Sequence, residues 1–184
     1  MARIPSATTR EALSPEAQAS YDRIIDDRGR ISGPTAQLLP YAPLMAERMS
    51  HLGTYVRFET ELDRAQTELA TIVAARGLDN AYIWAAHVPP AIEEGIAEST
   101  VEIVNSGASV EGLDPTEALI ICVGRQLVED RHLDDATFEA VKARFGEKGL
   151  LELTTLVGFY CLVSCIITTG QFTPRDGAPP LIQR

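Results

Sequence analysis

Positive charge is scarce in this chain. Sixteen Lys and Arg face 26 Asp and Glu, for a net charge of −10. A nucleic-acid surface needs Lys and Arg to neutralise phosphates, so that class of partner is excluded. Cysteine is almost missing too. The three residues Cys122, Cys161 and Cys165 are odd in number and lie in apolar stretches. They are read as reduced thiols in a cytoplasmic protein rather than as a disulfide framework, with Cys161 and Cys165, one helical turn apart, as buried small hydrophobes. No apolar leader follows Met1. The longest apolar run, LVGFYCLVSCII at 156–167, is shorter than the ~20 residues of a membrane span. It reads as a buried core helix, with no membrane as partner. Strand-type alternation is absent throughout. So are a phosphate loop, a dinucleotide fingerprint and a His/Cys cluster with metal-ligand spacing, so neither metal nor cofactor is expected.

What remains is helical periodicity. The residues predict an all-α fold of seven or eight helices in one chain of ordinary globular composition. Ser14-Pro15-Glu16 starts the first, after an extended, mobile stretch over 1–13. Arg28-Gly29-Arg30 and Ser32-Gly33-Pro34 read as loop, followed by a short apolar turn at 37–39. A helix over 43–58 carries Met45, Met49, Leu52 and Val56 as its apolar stripe. Later helices are expected over 98–105, from Asp114-Pro115 through the apolar 118–123, over 136–145 and over 150–169, the last two separated at Gly146 and Gly149.

The chemistry concentrates between Glu68 and Gly95. A helix over 63–76 should end at Gly77 in a left-handed conformation. Asp79 or Asn80 then caps a second helix through His87, which Pro89-Pro90 interrupts. Residues three, four and seven apart share a helical face, so Asn80, Ile83, Trp84 and His87 line one side. Glu68 and Arg76 lie roughly 80° apart around the first helix. Two antiparallel helices thus offer a carboxylate, a guanidinium and an imidazole for proton transfer beside a bound anion.

Glu68, then Tyr82-x-Trp84-x-x-His87, then Ala91 and Gly95, resembles the carboxymuconolactone decarboxylase family within the alkylhydroperoxidase D-like superfamily. The resemblance is sharp over 61–107 and extends loosely to about 170. It implies an N-terminal helical extension over 1–55, the family's helical domain over 56–170 and a tail over 171–184. It also implies assembly as dimers, trimers or hexamers. His87 and Glu68 become the expected catalytic pair. Arg76, Trp84, Tyr82, Ile83 and Asn80 become the expected substrate contacts, with Arg76 binding a substrate carboxylate.

The implied activity is cofactor-free decarboxylation, or related enolate chemistry, on a small carboxylated lactone or oxo acid. Two departures bear on it. Decarboxylase-type members carry Glu where Ile83 stands. Peroxidase-type members carry Cys at the positions of Asn80 and Ile83, seven and four residues before His87. A thiol peroxidase is therefore disfavoured, and a ligand-binding oligomer without catalysis is the remaining alternative.

Overall fold

Ser14 opens the first helix as its sequence predicts. Its hydroxyl accepts the Ala17 N–H at 3.3 Å, Pro15 fills the first turn, and Gly29 closes α1 (Pro15–Arg28) at φ +68°. The computed structural model describes residues 3–31 and 33–182. Eight α-helices and no strand are found among them.

The described chain forms two compact units, Met1–Glu59 with Cys165–Phe172, and Thr60–Ser164 with Thr173–Arg184. The chain's last helical turns join the first unit, and the tail joins the second.

In the first unit, α2 (Gly33–Leu38) is a helix where a loop and turn were expected. Pro34 sits in its first turn, where a missing N–H removes no helical bond. Ser32 lies outside the described residues. The stretch read as mobile is tied down over its described part. Arg3 N–H bonds the Gly170 carbonyl and Ala7 N–H the Ala36 carbonyl, both at 2.9 Å. Ala7, Leu13, Ala17, Ile24, Ala36, Leu39 and Ala46 form one apolar cluster.

Helix α3 (Pro43–Thr54) runs into a π-helical turn, Tyr55–Glu59, and packs along α1. Its expected stripe is half right. Met49 and Val56 are buried, but Met45 and Leu52 are 52% and 42% exposed. The buried face instead runs through Ala46, Glu47, Ser50 and Gly53, whose small members allow close approach to α1.

The buried acid on that face is fully engaged. Arg23 grips Glu47 through Nε and Nη2, each at 2.7 Å, and the Ser20 hydroxyl donates at 2.9 Å. The Arg23 hydrogen bonds, helped by Ser20 and opposed by burial, pull the Glu47 carboxyl down to about 2. A carboxyl depressed in the folded state stabilises fully above its ordinary value of 4.5, and that contribution disappears as pH falls through about 2. Glu47→Gln should therefore lower the melting temperature at pH 7 and flatten its fall between pH 4.5 and 2. An unchanged acid limb in thermal melts would place the acid sensitivity elsewhere.

The second unit holds α4 (Arg64–Gly77), α5 (Ala81–Glu93), α6 (Glu98–Ser106) and α7 (Pro115–Arg125) with its π-helical end Gln126–Asp130. It also holds most of α8 (Asp135–Gly170), which breaks at Gly146 (φ +72°, ψ 179°), near the separation expected. Helix α4 packs on both α5 and α7. Gly124 permits the α7 contact: a Cβ there would fall 2.4 Å from Val73 Cγ1. Gly77 is not the left-handed residue. It stays helical, and a Cβ there would meet Val128 Cγ1 at 2.8 Å, so the position needs glycine for space; the positive φ falls on Asp79 at +48°.

Helix α8 is long and apolar enough to cross a membrane by length and composition, with mean hydropathy 2.0 over its most apolar stretch, half of which is buried. Leu153, Leu156, Val157, Tyr160 and Val163 supply the buried side. Cys161 and Cys165 depart from the buried reading, the first half-buried and the second exposed; Cys122 is half-buried.

Candidate active site

A capping box fixes the start of α4. Asp63 accepts the Gln66 N–H at 2.8 Å, and the Gln66 side chain accepts the Asp63 N–H at 3.1 Å. Arg64 and Glu68 then stand one turn apart, and Arg64 Nη2 donates to Glu68 Oε1 at 2.5 Å. Arg64 also reaches the Thr67 hydroxyl at 3.3 Å and lies 3.7 Å from Glu94. Glu68 is only 3% exposed.

The second helix starts on Asn80, whose side chain accepts the Ile83 N–H at 3.1 Å. It does not stop at Pro89-Pro90 but runs on to Glu93. The two prolines forgo only the bonds their own N–H groups would make to the preceding turn. The buried Val88 and Ala91 on either side hold the helix in place.

His87 is carried on this helix with both ring nitrogens engaged. Nδ1 lies 2.7 Å from Glu68 Oε2, and Nε2 lies 3.2 Å from the Tyr160 hydroxyl. The Tyr160 ring also meets the imidazole edge-on, with centroids 5.1 Å apart at 82°. With a neutral ring, this arrangement assigns the proton to Nδ1, donated to the carboxylate, and leaves Nε2 to accept from the phenol. The imidazole is 16% exposed, against 4% for the Glu68 side chain. Burial pushes the Glu68 carboxyl up. The hydrogen bond and charge of His87 and the Arg64 guanidinium together outweigh it, and the carboxyl settles below its ordinary value of 4.5. Glu68 is therefore a carboxylate at neutral pH, placed to stabilise an imidazolium.

Glu68 and His87 are thus brought together as expected. Arg76 is not joined to them. It is 5% exposed, and its guanidinium donates to the Asn105 carbonyl at 2.7 Å and to Asp79 at 2.6 Å. Those contacts tie α4 to the Asn105 backbone and to Asp79. Asn80 is also engaged structurally, capping α5 and donating to the Ser164 hydroxyl at 2.8 Å. Ile83 and Trp84 are 2% and 1% exposed. Trp84 Nε1 is buried with no acceptor among the described residues. Tyr82 is half-buried, and burial raises its phenol.

Two members of the site were missed from sequence. Arg64 had a legible signal, its position one turn before Glu68. Tyr160 had none, since it stands 73 residues from His87 inside an apolar run. The groups assembled here can hold a proton, pass it, and present a cation beside it. Among the described residues no cluster has the His, Cys, Asp and Glu content to hold a metal ion.

Residues 43–121 match the model of the carboxymuconolactone decarboxylase family, a match that begins inside the segment expected to be an extension. The chain is similar to a crystal structure described as an alkylhydroperoxidase AhpD core, an uncharacterized peroxidase-related protein from Ralstonia eutropha JMP134. The TM-score is 0.73 at 15% identity, covering 95% of this chain and 93% of that one. At that identity the likeness is one of fold. No curated protein matches.

Proposed function

We propose that this chain, whose residues 43–121 match the carboxymuconolactone decarboxylase family model and whose fold is like that of an alkylhydroperoxidase AhpD core, catalyses proton transfer at an enolate-type intermediate of a small carboxylated lactone or oxo acid, most concretely a decarboxylation. The observation that carries this reading is the buried Glu68 carboxylate held 2.7 Å from His87 Nδ1. Loss of CO2 breaks a carbon–carbon bond and leaves its electron pair on the substrate, delocalised into an adjacent carbonyl. The reaction then consumes one proton at carbon. An imidazolium stabilised by a buried carboxylate supplies that proton and is recharged from solvent.

Arg64 takes the role expected of Arg76. Its side chain is 32% exposed and stands directly behind the catalytic carboxylate, so it offers a cation for the substrate's own carboxylate. Trp84 Nε1 supports a ligand with oxygen acceptors. A buried donor left unsatisfied costs about 1–3 kcal/mol, which a substrate oxygen or a water relieves.

The test is incubation of the protein with 4-carboxymuconolactone and measurement of CO2 release, with Arg64→Gln as the companion variant. Losing one charge-assisted contact of about 1.5–3 kcal/mol should raise KM for the carboxylated substrate by roughly 10–100-fold and for a neutral lactone far less. Equal losses on both would remove Arg64 as the clamp. Turnover of another oxo acid without CO2 release would keep the enolate chemistry and replace the decarboxylation.

The fold likeness to a peroxidase-related protein brings thiol chemistry into view. The positions that would hold the redox pair are Asn80 and Ile83, and both are committed to the helix start and its buried face. Peroxide reduction with a dithiol donor, lost on Cys165→Ser, would overturn the proton-transfer reading.

A further inference from the structure

The two ring nitrogens of His87 carry a consequence for how a proton leaves the site. Nδ1 faces the Glu68 carboxylate at 2.7 Å, and Nε2 faces the Tyr160 hydroxyl at 3.2 Å. Neither nitrogen is open to a substrate atom without displacing a partner. Glu68, buried and held by Arg64, covers one nitrogen, and the hydroxyl of the buried Tyr160 covers the other. Tyr160 is itself held in place: its ring meets the imidazole edge-on, and Phe159 packs edge-on to it at 5.4 Å and 84°. A phenol pinned by its ring and hydrogen-bonded through its oxygen is oriented rather than swinging.

We propose that Tyr160 is the catalytic residue that meets the reacting carbon, the outer member of a Glu68–His87–Tyr160 proton relay. This inference rests on the proton-transfer reading above and adds the group that delivers the proton. In the protonating step the Tyr160 O–H bond breaks and a C–H bond forms at the enolate carbon, which supplies the electron pair. In the same step the Nε2–H bond of the imidazolium breaks, and its proton restores the Tyr160 hydroxyl. His87 is left neutral with its remaining proton on Nδ1, donated to Glu68. Solvent returns the proton to His87 after product leaves, matching the one proton that decarboxylation consumes. The charged and titratable groups around the relay are Glu68 facing the ring from α4, Arg64 behind that carboxylate, and Glu94 beside Arg64 at 3.7 Å. The Tyr160 hydroxyl is needed; the ring alone is not enough.

The experiment compares wild type, Tyr160→Phe, His87→Gln and the protein with 3,5-difluorotyrosine at position 160. Turnover of 4-carboxymuconolactone is measured across pH, together with melting temperature and the ¹⁵N resonances of the His87 ring. Tyr160→Phe should keep the melting temperature and KM and lower kcat by at least 10²-fold. Difluorotyrosine, a more acidic phenol, should restore turnover and move the alkaline limb of the profile to lower pH. In the ligand-free protein, Tyr160→Phe should shift the Nε2 resonance and the His87 titration. A Tyr160→Phe protein within threefold of wild-type kcat, while His87→Gln is inactive, overturns the relay and leaves the proton-transfer reading standing. If wild type turns over no carboxylated substrate, that reading fails separately, and the ligand-free ring decides the coupling: an Nε2 resonance and titration unmoved by Tyr160→Phe overturn the relay.

Discussion

Replacing His87 by Gln should lower turnover by roughly 10²–10⁴-fold, the usual contribution of a positioned acid–base group, with the fold intact. Gln fills much of the imidazole's space and can still donate an N–H to Glu68. Glu68→Gln should cost less, because Glu68 carries no transferred proton and acts by stabilising charge on the ring. Its carboxyl lies below its ordinary value in the folded state, so its stabilising contribution is complete above pH 4.5 and fades as pH falls through the depressed folded value. Glu68→Gln should therefore remove part of the acid dependence of stability and shift the acid limb of the rate profile. The two losses should not add, since the pair works as one unit. Kinetics and melts of both single variants and the double decide this. A folded His87→Gln protein with full activity would remove His87 from the mechanism. A large fall in melting temperature with proportional loss of activity would make His87 a packing residue.

The second large effect belongs to Arg76, and it falls on stability rather than on substrate binding. Its buried guanidinium satisfies the Asn105 backbone carbonyl at 2.7 Å, near the end of α6. Arg76→Leu leaves that carbonyl without its charged donor, at a cost of about 2–3 kcal/mol. For a chain of this size that is a fall of roughly 5–10 °C in melting temperature. KM for carboxylated substrates should stay near the wild-type value, the reverse of the Arg64→Gln pattern. An Arg76→Leu protein with unchanged melting temperature and weakened carboxylate binding would return Arg76 to the site.

The local punctuation of this fold was legible. Ser14, Asn80 and Asp114 each cap a helix that their side chains announce, and Gly107 ends α6 in the left-handed conformation. The Glu68–His87 pair was legible because two adjacent helices joined by a tight turn leave few ways to face each other. What failed was whatever depends on a distant neighbour. Gly77 has the sequence appearance of a helix terminator, yet Val128 from the end of α7 requires a residue without a side chain there. Pro89-Pro90 looks like a helix stop, but burial around it outweighs two missing hydrogen bonds. Arg64 lies one turn before Glu68 and Arg76 about 80° around the helix from it, and the contact with Asn105, distant in sequence, is what draws Arg76 away. On α3, the larger side chains suggested a stripe through Met45 and Leu52. Packing against α1 selected the smaller residues instead.

The way the chain is divided bears on how it is made. The first unit includes Cys165–Phe172, and Arg3 is tied to the carbonyl of Gly170. The second includes Thr173–Arg184, where Asn105 holds the backbone at Pro180 and Ile182. Neither unit can therefore complete its contacts while the ribosome is still working through α8. At about 5–20 residues per second, the N-terminal helices wait on the order of ten seconds for the strand of sequence that closes them. The exposed Leu44, Met45 and Phe58 accompany an unfinished core throughout that interval. Nascent chains stalled before residue 165 should be the ones that engage chaperones, and extending them past the tail should release them.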